Sequence, residues 1–402
     1  MLRISARLFA MISLIVGTLL PLGASAQWSG TNGQIFFAYQ VGNVDSIAAA
    51  NPDKSESHIV IQGTDTKIEK NFAISPTGSK IAYVEDVSGG GTEVYSVMVA
   101  NSDGSSPTLV YSAPSNSSAY DSIRSLTFSP DGLTIFFDQA NSQTFGDNGI
   151  YSVLVSGGTA TKLLADSSST PWTSFETSGL VASAANSKLY FVKYTFTGSA
   201  SAYEVDSMNF DGTNIATVYD AGSTFTTIAD VLPDGSKLLL AKADAQFNSQ
   251  LFTVDTATGL TVTPFTSLSP NGVAFLNGSF SLDGAKLIYL EVHNATTGTT
   301  NIGAQIVSAD GSGTPVAFRL DAFTPTWSNT ALATAGTYPT PLVLGDTSVG
   351  GGAGGTPAPS TSPGLPKAGA PVSRSLPIAL LSLGLLTVGA IEVVGRVRRT
   401  NR

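Results

Sequence analysis

Few side chains in this chain could do chemistry. His58 and His293 are its only histidines, and it has no cysteine. That removes disulfides, thiolate metal sites and thiol nucleophiles, and it leaves too few imidazoles for a multi-histidine metal centre. There is no Gly-Xaa-Ser-Xaa-Gly elbow, phosphate-binding loop or HExxH motif. Neither histidine stands beside a nucleophile turn, so both are read as surface or structural. No catalytic residue, metal ligand or cofactor is assigned. Six Asp-Gly pairs stand out, with Asp103, Asp131, Asp211, Asp234, Asp283 and Asp310. They lack the alternating acidic spacing of an EF-hand. Their role is to shape tight turns, and a loop calcium is left open without an argument for it.

Those turns recur in a pattern. Gly78 lies in ISPTGSKIAYV, Gly132 in FSPDGLTIFF, Gly235 in VLPDGSKLLL and Gly284 in FSLDGAKLIYL. A degenerate copy, ASAANSKLYFV, puts Asn186 in the glycine position, where asparagine is expected to take the left-handed conformation. The intervals are 54, 54, 49 and 49 residues. Each unit reads as a short apolar strand, the turn, a second strand such as Lys237 to Ala241, a loop, a third strand often carrying Tyr or Phe, another polar turn and a fourth strand. Four strands joined by short turns make an antiparallel meander. One such sheet leaves both faces uncovered, and radial packing of several covers them.

The units resemble the TolB-type propeller repeat, whose signature is Phe-Ser-Pro-Asp-Gly followed by an apolar strand. The resemblance implies an all-β fold, a six-bladed propeller of four-stranded antiparallel blades over residues 27–338. Ile35 reads as a second strand whose first strand is missing, and Trp327 as a first strand without a second. Thr324 to Ser328 should therefore complete the blade begun by Ile35 and close the ring, removing free sheet edges. Propellers usually bind at one mouth of the central channel. The segments entering each first strand offer Lys70, Arg124, Asp230 and Trp327 there as ligand-binding candidates.

The two ends read as addresses. In residues 1–26, Arg3 and Arg7, the apolar run Leu8 to Leu22 and the small residues Ala24 and Ala26 make a secretory signal, cut before Gln27. Residues 339–364 are a linker rich in Gly, Pro, Ser and Thr. Residues 365–402 begin with Leu365, Pro366, Lys367, Ala368 and Gly369, continue as an apolar span over 376–394, and end in an arginine cluster. A run of that length can cross a bilayer, and the arginines would hold its end in the cytoplasm. The three parts in this order resemble the cell-wall sorting signal read by sortases of Gram-positive-type bacteria, with Ala368 where threonine is usual. The resemblance implies cleavage after Ala368 and attachment to a wall amine. The alternative is an ordinary C-terminal transmembrane anchor.

Charged residues are 12% of the chain, about half the usual share. Setting both ends aside removes Glu392 and seven arginines and leaves a net charge near −15 over residues 27–368. Phosphate binding needs a basic surface, so nucleic acid is not an expected partner. The sequence therefore points to a non-enzymatic binding, adhesion or protein-interaction module outside the cell, with a surface protein or glycan as ligand. A propeller lyase or glycan hydrolase at the channel mouth and a purely structural surface component are the rivals.

Overall fold

The structure, a computed structural model, describes residues 32–332 except 42–43, 65–66, 90–91, 114–121, 141–147, 167–171, 175–178, 198, 244–248, 265–273, 294–300 and 320–321. The segments read from the sequence as signal peptide, linker, sorting motif and membrane span lie outside the described residues, as do the side chains of Lys70, Arg124 and His293. No helix among the described residues is long and apolar enough to cross a membrane.

Among the described residues twenty-five strands form six separate sheets. Blade I holds β1 (Ile35–Val41), β2 (Val44–Ala50) and β3 (His58–Ile61). Blade II is β4 (Lys67–Ile74), β5 (Lys80–Gly89), β6 (Thr92–Asn101) and β7 (Thr108–Ser112). Blade III is β8 (Ser122–Phe128), β9 (Thr134–Ala140), β10 (Gly149–Leu154) and β11 (Thr161–Ala165). In blade IV the first strand is in two pieces, β12 (Trp172–Ser174) and β13 (Leu180–Ser183), both paired to β14 (Lys188–Phe196); β15 (Ser201–Met208) and β16 (Ala216–Gly222) follow. Blade V is β17 (Phe225–Val231), β18 (Lys237–Ala243), β19 (Ser249–Asp255) and β20 (Thr261–Pro264). Blade VI is β21 (Ala274–Phe280), β22 (Lys286–His293), β23 (Asn301–Ser308) and β24 (Val316–Arg319). The last strand, β25 (Ala322–Trp327), pairs with β1 and gives blade I the order β25-β1-β2-β3. The result is a six-bladed β-propeller closed by strands from both ends of the domain.

The second strand of each blade explains why these sheets stack. It carries a continuous apolar run because neighbouring blades cover both of its faces. In β18, Leu238 and Leu240 pack in the core shared with blade IV, while Leu239 and Ala241 pack in the core shared with blade VI. All four are at most 5% exposed, so neither face is left for solvent.

The turn after each first strand is built from its own side chains. In blade III, Ser129 Oγ donates to Asp131 Oδ1, which accepts the Leu133 N–H, and Ser129 Oγ accepts the Thr134 N–H at 2.9 Å. Gly132 sits at φ +70°. Blade IV departs from the expected pattern. Asn186 is not the left-handed residue; Ser187 is, at φ 52°. The asparagine is freed for another task, because its amide donates to Tyr190 Oη and to Gly235 O in the next blade, both at 2.7 Å.

These turns touch round the ring, and that contact separates two glycines of similar conformation. A Cβ on Gly235 (φ +72°) would lie 2.7 Å from Asn186 Oδ1 and 2.9 Å from Ala185 Cβ. On Gly284 (φ +68°) its nearest neighbour would be Pro233 Cδ at 3.7 Å. Gly284→Ala should cost about 1 kcal/mol, the backbone penalty alone. Gly235→Ala should cost about 3 kcal/mol, since overpacking is added. Urea unfolding of the two variants checks the difference; equal losses would remove the contact between turns as a cause.

Candidate functional site

The first strand of each blade is the inner edge of its sheet, and together these edges surround the axis. A cavity of about 350 Å³ lies there, lined by residues of β4, β8, β13, β17, β21 and β25. None of these edges is regular. The register breaks between Lys70 and Phe72 in β4, Ile123 and Leu126 in β8, Ile228 and Asp230 in β17, and Phe275 and Gly278 in β21. It also shifts between Phe36 and Ala38 where β1 meets β25, and blade IV is interrupted outright. Bulges re-aim side chains and often stand beside functional sites. Here they bring Asn71, Ser125, Asn277 and Asp230 to the channel wall.

An inner edge has backbone donors with no strand partner, and side chains of the preceding blade cap several of them. Ser125 Oγ in blade III accepts the Leu180 N–H of blade IV at 2.9 Å. Asp230 Oδ2 in blade V accepts the Phe280 N–H of blade VI at 2.8 Å. Ser279 Oγ in blade VI accepts the Trp327 N–H of blade I at 3.3 Å. Asp230 Oδ1 also accepts the Val231 N–H at 2.8 Å, and the Ser279 hydroxyl hydrogen-bonds the same carboxylate. Asp230 and Ser279 thus link blades V, VI and I round the channel.

Asp230 lines the channel and is half-buried as a residue. Burial pushes its pKa up to about 6, against the opposing pull of the hydrogen bonds from Val231, Phe280 and Ser279. It is the only titratable side chain among the described lining residues.

Of the four candidates read from the sequence, Asp230 and Trp327 line this cavity. Trp327 is 6% exposed and belongs to the core between blades VI and I. The backbones of Lys70 and Arg124 lie at the bulges of β4 and β8. Asn71, Ser125, Asn277 and Ser279 were not singled out by sequence. Ser279 and Asp230 each directly precede the last residue of a first strand, and that shared position was the available signal.

The other chemistry-bearing residues stand elsewhere. His58 is buried in β3, the outermost strand of blade I, with Nδ1 2.8 Å from Glu56 O; burial pushes its pKa down. The turn aspartates use Oδ1 within their turns. Hydrogen bonds from Ser105 to Asp103, from Ser129 to Asp131, from Thr213 to Asp211 and from Ser312 to Asp310 hold those carboxyls below the usual range. No group of three or more metal-ligating side chains occurs among the described residues.

No protein-family model and no curated protein matches this chain. Solved structures do. TolB from Acinetobacter baumannii superposes with a TM-score of 0.53 at 18% identity, covering 80% of this chain and 71% of that one. A chain of a nidogen/laminin complex gives a TM-score of 0.53 at 14% identity, covering 74% of this chain and all of that one. At such identities the likeness is one of fold, and it agrees with the propeller read from the repeats.

Proposed function

We propose that this chain is a secreted, surface-anchored, non-enzymatic binding module that holds a surface protein or glycan at its central channel. The observation that carries this reading is the composition of the channel. Six irregular inner edges present hydroxyls, amides and apolar groups around one carboxylate, Asp230. Acid–base cleavage of a glycan draws on two placed groups, one giving and one taking a proton. A lining with a single titratable side chain among its described residues suits recognition better than turnover. Export and attachment rest on the sequence: the small residues before Gln27, then Leu365 to Gly369, the apolar span and the arginines.

Two experiments test the two halves. A panel of glycans and surface proteins is screened against the purified full chain; saturable binding that weakens on substitution at the channel is expected, and binding to nothing across the panel contradicts the reading. Mass spectrometry of wall digests should find a peptide ending at Ala368 joined to a wall amine. Intact Leu365 to Gly369 running on into the apolar span of the mature protein would refute sorting.

A further inference from the structure

Among the described residues the channel lining holds one negative charge and no positive one, within a domain that is itself acidic. An ionised carboxylate offers about four lone-pair positions. Val231, Phe280 and Ser279 occupy three of those on Asp230, which leaves one for a donor reaching it from the channel that it lines. Ala229 on the same strand lines the channel and is only half-buried, as are Phe72 and Ala73 of blade II on the opposite side of the ring. Thr227 and Asn277, on its own strand and the next, supply further oxygens.

We propose that the channel binds an organic primary ammonium group, its cation against the Asp230 carboxylate and its methylene chain running past Ala229 across the channel toward Phe72 and Ala73 of blade II. This rests on reading the channel as the binding site. A cation is selected because the only charge among the described lining residues is negative and lies in a poorly hydrated recess, where an unpaired charge is costly. An organic cation is selected over a divalent metal because calcium takes 6–8 oxygen ligands, commonly several carboxylates, and no such cluster exists among the described residues. The cavity of about 350 Å³ falls within the usual range for small-ligand sites.

The proposal carries a pH signature. With the channel empty, Asp230 titrates near 6; an adjacent cation favours the charged form. Below that pH, binding must expel a proton, so affinity rises as pH rises. Among the described lining residues no second titratable group confuses the reading. On β18 the residue opposite Asp230 is Leu239; β21 presents Ser279 and Phe280, and β25 presents Thr326 and Trp327.

The test is calorimetry of the purified full chain with n-butylammonium at pH 5 and pH 7.5, with 1-pentanol, one methylene longer, as the neutral control. Butylammonium should bind about tenfold more tightly at the higher pH, since ionisation of a group titrating near 6 runs almost to completion across that interval. Pentanol should bind equally at both. In carbon-13 NMR, saturating butylammonium should lower the apparent pKa of the Asp230 carboxyl. Asp230→Asn should erase the pH dependence; if that variant does not fold, the wild-type calorimetry and carboxyl titration decide alone. Competition by glucosamine against N-acetylglucosamine, and by a lysine peptide against its acetylated form, separates an amino sugar from a protein side chain as the source. Binding that is independent of pH, no tighter for butylammonium than for pentanol, or without effect on the Asp230 carboxyl overturns the inference. A ligand from the wider panel that binds while butylammonium neither binds nor competes leaves the binding module standing and removes the ammonium.

Discussion

Ending the chain before Ala322 should abolish cooperative folding of the whole propeller. The missing strand, β25, is the inner edge of blade I and pairs with β1 from Ile35–Trp327 to Tyr39–Ala322. Without it, the axial side of blade I loses its ladder. Ile35 and Phe37, both 0% exposed, lose part of the core they share with Trp327 and Phe318. The residues just beyond β25 go too. Ser328 Oγ donates to Gln34 O at 2.8 Å, Thr330 Oγ1 donates to Gly78 O at 2.8 Å, and the Asn329 amide donates to Pro76 O. These contacts tie blade I to blade II as well as to itself. A ring opened at one blade exposes apolar faces on both sides of the gap. Far-UV dichroism should keep strand signal while the urea transition becomes broad and dye binding rises. A sharp transition with native near-UV dichroism in the truncated chain would show that closure is dispensable. Trp327→Ala keeps the backbone pairing and removes only the ring, so it should cost about 3–5 kcal/mol and leave the transition sharp.

Asp230→Ala should be costly in acid and nearly silent in mild alkali. At low pH the carboxyl is protonated in the folded protein and still accepts N–H groups of Val231 and Phe280. Losing it leaves buried donors unpaired, at about 1–3 kcal/mol each when nothing replaces the acceptor. The folded pKa near 6 lies above the ordinary aspartate value of 3.8. For an acid with a raised folded pKa, the folded state binds more protons across that window. Wild-type stability therefore falls as pH rises from about 4 to 6, and stays lower above it. The alanine variant has no such fall. Its deficit relative to wild type should be about 2 kcal/mol greater at pH 4 than at pH 8. The turn aspartates act in the opposite sense, contributing stability above their unfolded pKa and losing it as pH falls through the folded one, but they are common to both proteins and cancel. Urea unfolding of both chains at the two pH values gives the comparison. A constant deficit would mean that Asp230 is not buried against its charge.

Much of this architecture was legible because each blade repeats one piece of local chemistry. The Ser-Pro-Asp-Gly turn and the apolar run after it marked the second strands, and the unpaired strands at Ile35 and Trp327 gave the closing blade. The Asn186 turn was misread in detail. Its position matched the glycines, but the left-handed conformation passed to Ser187 once the asparagine side chain found partners in the next turn. The site was less legible. Bulges at Asn71, Ser125 and Asn277 depend on how each inner strand curves past its neighbour, which no local pattern encodes. Asp230 was noticed as an acid at a strand, but its bond to Phe280, 50 residues on, belongs to the ring and not to the repeat.

Closure by the last strand also sets the order in which the molecule can be finished. Ser328 and Gln34 are hydrogen-bonded across 294 residues of sequence. A chain emerging from its N-terminus can form blades II to VI in turn. The half-blade of β1, β2 and β3 must wait through all of that with its axial edge open. Contacts of such long range make the final step slow. The time between first and last strand is therefore an interval of vulnerability, when an open edge is available to proteases or to another unfinished copy. Arrival of residue 330 ends it, so the native fold is itself a report that the whole domain has been delivered.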